Sequence, residues 1–261
     1  MGRQKHRKFA KRVDEEACAW RARIDQYYVE ERVAAGYPPV LDPVTDERLY
    51  RAARTINHRP WWTEEDLLEI NTALAPHWFP GIHQDRLHGA VLAELARCIR
   101  AWRPERVLDA GCGVGVDLAF VAQEFPEITF VGADLAPRMI EEASARIARR
   151  RLPNVELLVS AHRMLPLRLP KMDFDLVYTH GSCLYRDAHQ LREHLQAFMA
   201  VLRSRGRWFT EMPMSVPPGM LFAQVELVAP EFRRREVDNV RTLSIDGTPV
   251  CWCTVFQKAG T

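Results

Sequence analysis

A short apolar strand that runs straight into clustered glycines constrains this chain more than any other feature. Val107-Leu108-Asp109-Ala110 leads into Gly111-Cys112-Gly113-Val114-Gly115, and a helix-forming stretch follows. Glycines permit positive φ and let the backbone approach a ligand closely. At the carboxyl end of a central strand, such a turn stands where open α/β sheets bind ligands. The downstream pattern agrees: helix 116–124, strand 128–133, helix 137–151, strand 155–160, strand 174–179, helix 187–203 and strand 206–212. Strands alternating with helices predict an α/β fold, a doubly wound, mostly parallel sheet covered on both faces. Val240–Ile245 and Val250–Gln257 flank Asp246-Gly247, a turn pair that predicts an antiparallel C-terminal hairpin.

The first hundred residues read differently, as a helical extension. Val13, Ala17, Trp20, Ile24, Tyr27 or Tyr28 and Val33 recur at helical spacing over 13–35, and Gly36 with Pro38-Pro39 ends the run. Residues 37–62 are irregular. Thr63-Glu64-Glu65-Asp66 opens a helix near 64–75, and a helix near 84–101 carries Leu87, Val91, Leu95 and Ile99 on one face. The expected organisation is a basic tail and helix over 1–40, a helical cap over 41–103, and a Rossmann-like domain over 104–261.

Charge narrows the partners. The 261 residues hold 36 Lys+Arg and 34 Asp+Glu, a net of +2. Residues 1–12 carry six of those bases and no acid, so the body is acidic and is no polyanion binder by composition. The six cysteines form no C-x-x-C pair, and no apolar run has signal-peptide or membrane-span length. A cytoplasmic protein with reduced thiols and no membrane partner is expected.

By itself the glycine turn also suits a nicotinamide or flavin site. That fingerprint wants G-x-G-x-x-G, and position 116 is Val. Here an acid precedes the first glycine by two residues, and a second acid, Asp134, ends the next strand 19 residues after Gly115. A carboxylate there can accept both hydroxyls of a ribose. The segment from Val107 to Gly115, with Val131-Gly132-Ala133-Asp134-Leu135-Ala136-Pro137-Arg138-Met139-Ile140, resembles the cofactor motifs of class I S-adenosylmethionine-dependent methyltransferases.

The resemblance covers about 104–212 well and 237–257 by topology only. It implies S-adenosyl-L-methionine as cofactor and S-adenosyl-L-homocysteine as product. It places Asp109 and the backbone of Gly111, Cys112, Gly113 and Gly115 against the methionine part, Asp134 on the ribose, and Leu135 or Met139 on adenine. The third block departs from the family pattern: Ala161-His162 stands where an Asp is common, so Ser160 or the backbone would serve there, with His162 as a further cofactor contact. The fourth strand runs into His180-Gly181-Ser182 and lacks the Asn/Asp-Pro-Pro-Tyr/Phe motif of many enzymes that methylate nucleobase amines.

His180 is the candidate general base, since an unperturbed imidazole titrates near 6.5. Asp187 reads as a helix cap. Asn57–Trp62, His77-Trp78-Phe79 and His83 either pack or line an aromatic pocket, and no histidine pair has metal-ligand spacing. Arg149–Arg151 and Arg233–Arg235 read as solvated ends of elements. Methylation of a small molecule at oxygen or nitrogen is the leading expectation, with the 41–103 segment and a 213–222 loop closing over it. The alternatives are RNA methylation through the basic tail and a cofactor-sensing protein without turnover. Neither the substrate nor the oligomeric state follows from the sequence.

Overall fold

A computed structural model describes residues 19–20, 22–39, 64–75, 86–169, 171–182, 188–213, 217–234, 240–245 and 248–260. In chain order the elements are α1 (22–34), α2 (Glu64–Leu74), α3 (Arg86–Trp102), β1 (Arg106–Ala110), α4 (Val116–Glu124), β2 (Thr129–Asp134), α5 (Pro137–Arg150) and β3 (Val155–Val159). A 3-10 turn (His162–Met164) and α6 (Leu165–Arg168) follow. Then come β4 (Phe174–Thr179), α7 (Ala188–Val201), β5 (Leu202–Pro213), α8 (Pro218–Val228), β6 (Phe232–Arg234), β7 (Arg241–Ile245) and β8 (Thr248–Lys258).

The strands form one sheet in the order β3-β2-β1-β4-β5-β8-β6, with β7 also on β8. The pairs from β3 to β5 are parallel, and β8 runs antiparallel to β5, β6 and β7. This is the doubly wound sheet that the alternation of strands and helices predicts. The hairpin register also agrees, with Ile245 opposite Thr248 across positions 246–247.

Alternate residues of each strand enter different cores, as the two-residue period requires. Val107, Phe130, Tyr178 and Phe209 join α1, α3, α4 and α5 on one face. Leu108, Val131, Val177 and Trp208 join α7 and α8 on the other. The strand ends carrying Asp109, Asp134 and His180 thus meet at one edge of the sheet, between two packed layers.

Three expectations need correction. The 213–222 stretch is not one loop, because α8 begins at Pro218. Proline fits the first turn of a helix, where its missing N–H has no partner to lose, so Pro217-Pro218 starts a helix rather than breaking one. Val33 is 52% exposed, while Glu31 of the same helix is buried. The reason is a charge clamp. Glu31 takes guanidinium hydrogen bonds from Arg146 (2.7 Å), Arg150 (2.6 Å) and Arg149. Arg150 is therefore drawn in from solvent, while Arg149 bonds Glu31 with 45% of its side chain exposed and Arg151, at the C-cap, stays exposed. Asn57–Trp62, His77–Phe79, His83 and Asp187 lie outside the described residues, as do residues 1–12.

Helix α1 does more than close the clamp. Trp20, just ahead of it, stacks on Phe125 with centroids 5.8 Å apart, and the Tyr27 hydroxyl donates to the Val116 carbonyl at 2.8 Å. The helix expected with the tail over 1–40 is packed onto the first turn of α4, beside the glycine turn.

Candidate active site

Four backbone N–H groups of the glycine turn donate within the protein. The Gly111 and Cys112 amides donate to the Ala133 carbonyl at 2.8 and 3.0 Å, and the Gly115 amide to the Cys112 carbonyl at 2.9 Å. The Gly113 amide donates to Asp134 Oδ2 at 2.9 Å, while the Ala136 amide holds Oδ1 at 2.9 Å. A phosphate-binding turn works by aiming such N–H groups at its anion. This turn spends them internally and has two buried acids, Asp109 and Asp134, beside it. It suits a cationic nucleoside and not a pyrophosphate.

The glycines divide by what surrounds them. A Cβ on Gly111 would stand 2.2 Å from Ser182 Cβ, and one on Gly115 would stand 2.9 Å from Ala143 Cβ. Those two glycines exist for protein packing. Gly113 (φ +53°) and Gly181 (φ +65°) have nothing within 4 Å of such an atom. They border open space in which a ligand can lie against bare backbone.

Two buried polar pairs underlie that space. The Tyr178 hydroxyl donates to Asp109 Oδ2 at 2.6 Å. Burial pushes the Asp109 carboxyl up to about 8, against the pull of the Tyr178 bond. One strand over, His180 Nδ1 lies 2.7 Å from Asp117 Oδ2, and both side chains are largely buried. The Tyr28 hydroxyl donates to Asp117 Oδ1 at 3.3 Å. Burial alone would lower the imidazole, but the hydrogen bond and charge of Asp117 outweigh it and raise His180 to about 9. The sequence expectation of a base titrating near 6.5 is corrected accordingly. At neutral pH His180 is an imidazolium held by a carboxylate.

The other candidates fall into place around these pairs. Leu135 is half-buried at the end of β2, whereas Met139 is 1% exposed and sealed into the core. Of the two adenine candidates only Leu135 offers a face. Cys112 turns its thiol into the core, where burial raises its pKa, so only its backbone borders the turn. The Ala161 carbonyl accepts from the Met164 amide and from Ser160 Oγ. His162 packs edge-on against His194 at 4.9 Å and against Phe198. Burial, then the neighbouring His194, pushes its imidazole down to about 3, so it is neutral.

The model of a methyltransferase domain matches residues 107–206. This is a class I S-adenosylmethionine-dependent methyltransferase domain. The domain shares 29% identity over 127 residues with a malonyl-[acyl-carrier protein] O-methyltransferase of Paenibacillus, covering 45% of each chain. It shares 34% over 97 residues with a trans-aconitate 2-methyltransferase of Methylobacterium radiotolerans, covering 37% of this chain and 34% of that one. The chain thus spans less than half the length of these relatives. A Nostoc punctiforme structure assigned as an O-methyltransferase superposes with TM-score 0.55 at 17% identity, covering 72% of this chain and 60% of that one. That likeness speaks for the fold of the methyltransferase domain.

Sequence reasoning missed Tyr28, Asp117, Tyr178 and Ser182. Asp117 was visible as an acid in the first turn of a helix, but nothing in the sequence ties it to a histidine 63 residues away. Tyr28 read only as part of an apolar helix face.

Proposed function

We propose that this protein transfers the methyl group of S-adenosylmethionine to a small-molecule acceptor. The observation that carries the reading is the glycine turn with its N–H groups closed on Ala133, Cys112 and Asp134, beside two buried acids, Asp109 and Asp134, at the ends of β1 and β2. When bound, the cofactor supplies a methyl carbon made electrophilic by its sulfonium. Asp109 holds the methionine ammonium, whose positive charge favours the ionised carboxylate and draws off the proton that burial keeps there. Asp134 receives the ribose hydroxyls, and Leu135 packs on adenine. The backbone of Gly111–Gly113 lies along the methionine part, with Gly113 leaving room for it. Ala161 and His162 border the adenine side.

At the transfer end, the His180–Asp117 pair orients the acceptor. Alignment of nucleophile, carbon and sulfur supplies much of the acceleration in such a reaction. A small acceptor is favoured because α1 packs over the start of α4 beside the site and because Arg149 and Arg150 are spent on Glu31. Neither arginine remains to track a phosphate backbone. A cytoplasmic setting, with Cys98, Cys112, Cys251 and Cys253 as free thiols, belongs to this reading.

The test is incubation of the full-length protein with methyl-labelled S-adenosylmethionine and a bacterial cell extract, followed by separation of metabolites, RNA and protein. Label in metabolites is expected. Label in RNA, lost when residues 1–12 are deleted or salt is raised, would transfer the acceptor role to nucleic acid. Calorimetric binding of S-adenosylhomocysteine with no label in any fraction would leave a cofactor-sensing protein.

A further inference from the structure

The β4–β5 register carries one residue into the site that the reading above does not use. Tyr178 pairs with Phe209 and Thr179 with Thr210, so the next positions along the two strands are His180 and Glu211. Phe209 lies in the same core as Tyr178, and residues two apart on a strand share a face. Glu211 therefore stands on the face that carries Tyr178, beside His180. It is only half-buried, and its carboxylate has no hydrogen-bond or ion-pair partner among the described residues. Asp109 and Asp134 are committed to the cofactor in the proposed function, and Asp117 to His180. Glu211 is the acid left over at the transfer end.

We infer that Glu211 is a specificity-determining residue that selects an amine, and not a carboxylate, as the methyl acceptor. This rests on the methyl-transfer reading and narrows it. The reason is where the charge goes. An amine nitrogen uses its lone pair to form the N–C bond while the C–S bond breaks, and that electron pair stays on sulfur as a thioether. The positive charge leaves sulfur and appears on nitrogen, and no proton moves in that step. A carboxylate beside the nitrogen stabilises the charge as it develops. A carboxylate acceptor would instead be an anion brought up against Glu211, a like-charge contact that opposes binding.

The surrounding charges point the same way. The charges that raise the His180 imidazolium are those of Asp117, Glu211 and Asp109. The malonyl-[acyl-carrier protein] and trans-aconitate methyltransferases are relatives of the domain, and this inference separates the chain from them in acceptor chemistry.

The experiment treats the labelled metabolite from the extract incubation with alkali and passes it over a cation exchanger. Alkali-stable label retained on the exchanger is the expected result. Label released as volatile methanol marks a carboxyl methyl ester and overturns the inference, as does stable label that the exchanger does not retain. No label in any fraction is failure of the methyl-transfer reading itself, and the inference falls with it. Glu211→Gln supplies the second measurement, made with the labelled metabolite once purified. Its KM for that acceptor is expected to rise about tenfold, with S-adenosylhomocysteine affinity by calorimetry changed by less than about twofold. An unchanged KM, or equal losses in acceptor and cofactor binding, overturns the role of Glu211.

Discussion

The Tyr178 hydroxyl and the Asp109 carboxylate, on adjacent strands, meet at 2.6 Å where the glycine turn begins. The bond locks β4 to β1 at the edge of the ligand space. It also holds a carboxyl that burial has raised to about 8. Two buried groups, Asp109 and His180, therefore link stability to pH in the same direction.

Asp109 keeps its proton in the folded state while the unfolded chain releases it near pH 4, so stability falls as pH climbs from about 4 to about 8. His180 is raised to about 9 from its ordinary value near 6.5. Its contribution is complete below about pH 6.5 and is lost as pH rises through 9. Urea unfolding of the ligand-free protein should show a loss from the His180 linkage of about 3 kcal/mol between pH 6.5 and 9. His180→Gln should leave only the Asp109 loss, which ends near pH 8, and Asp109→Asn only the His180 loss above about pH 6.5. A wild-type stability that does not change from pH 5 to 9 would falsify both linkages.

The glycines of the turn should separate folding from binding. Gly111→Ala forces a Cβ into Ser182 at φ +95° and should cost about 2–3 kcal/mol of stability. Gly113→Ala meets open space, so the strain at φ +53° should cost only about 1 kcal/mol. It should nonetheless weaken S-adenosylhomocysteine binding at least about tenfold, because the added methyl enters the ligand space. Thermal unfolding and calorimetry on the same two variants decide the matter. Wild-type affinity in Gly113→Ala would place the cofactor elsewhere.

Asp134 serves the turn as well as the ribose. Its oxygens already hold the Gly113 and Ala136 amides. Asp134→Asn keeps the shape and one acceptor but loses charge-assisted bonds. S-adenosylhomocysteine affinity should fall by about 1.5–3 kcal/mol, with a smaller loss of stability. If calorimetry finds no change in affinity, β2 does not carry the ribose acid.

Glu31 is a buried carboxylate whose removal would strand Arg146, which is itself buried. Glu31→Gln should destabilise the protein by about 3 kcal/mol, read as a lowered urea midpoint at unchanged slope. Because α1 carries Tyr28 onto Asp117, the same variant should loosen the His180 pair and lower its pKa, visible in an NMR titration of His180. A normal His180 titration in a destabilised variant would mean that α1 braces the fold without reaching the site.

Local information was enough to read the order of strands and helices, because hydrophobic period and glycine placement act over a few residues. Asp109, Asp134 and the glycines were legible for the same reason, since each stands at a strand end in a short motif. The misreadings came from contacts that no local pattern records. Val33 looked apolar and inward, yet Arg146, Arg149 and Arg150 draw Glu31 inward instead. Met139 looked like an adenine platform, yet the first turn of α5 seals it beneath the sheet edge. The 213–222 stretch read as a loop, yet Pro217-Pro218 starts a helix within it.

The chain by itself determined that a parallel sheet would place two acids and a glycine turn at one edge, and hence what class of cofactor could lie there. Only the tertiary structure decided which residues tune that edge. Tyr178 on Asp109, Tyr28 on Asp117, Asp117 on His180, and Glu211 beside them come from five elements and lie up to 183 residues apart. Their proton affinities depend on burial and on charges a few ångströms away, and both exist only once the layers have packed.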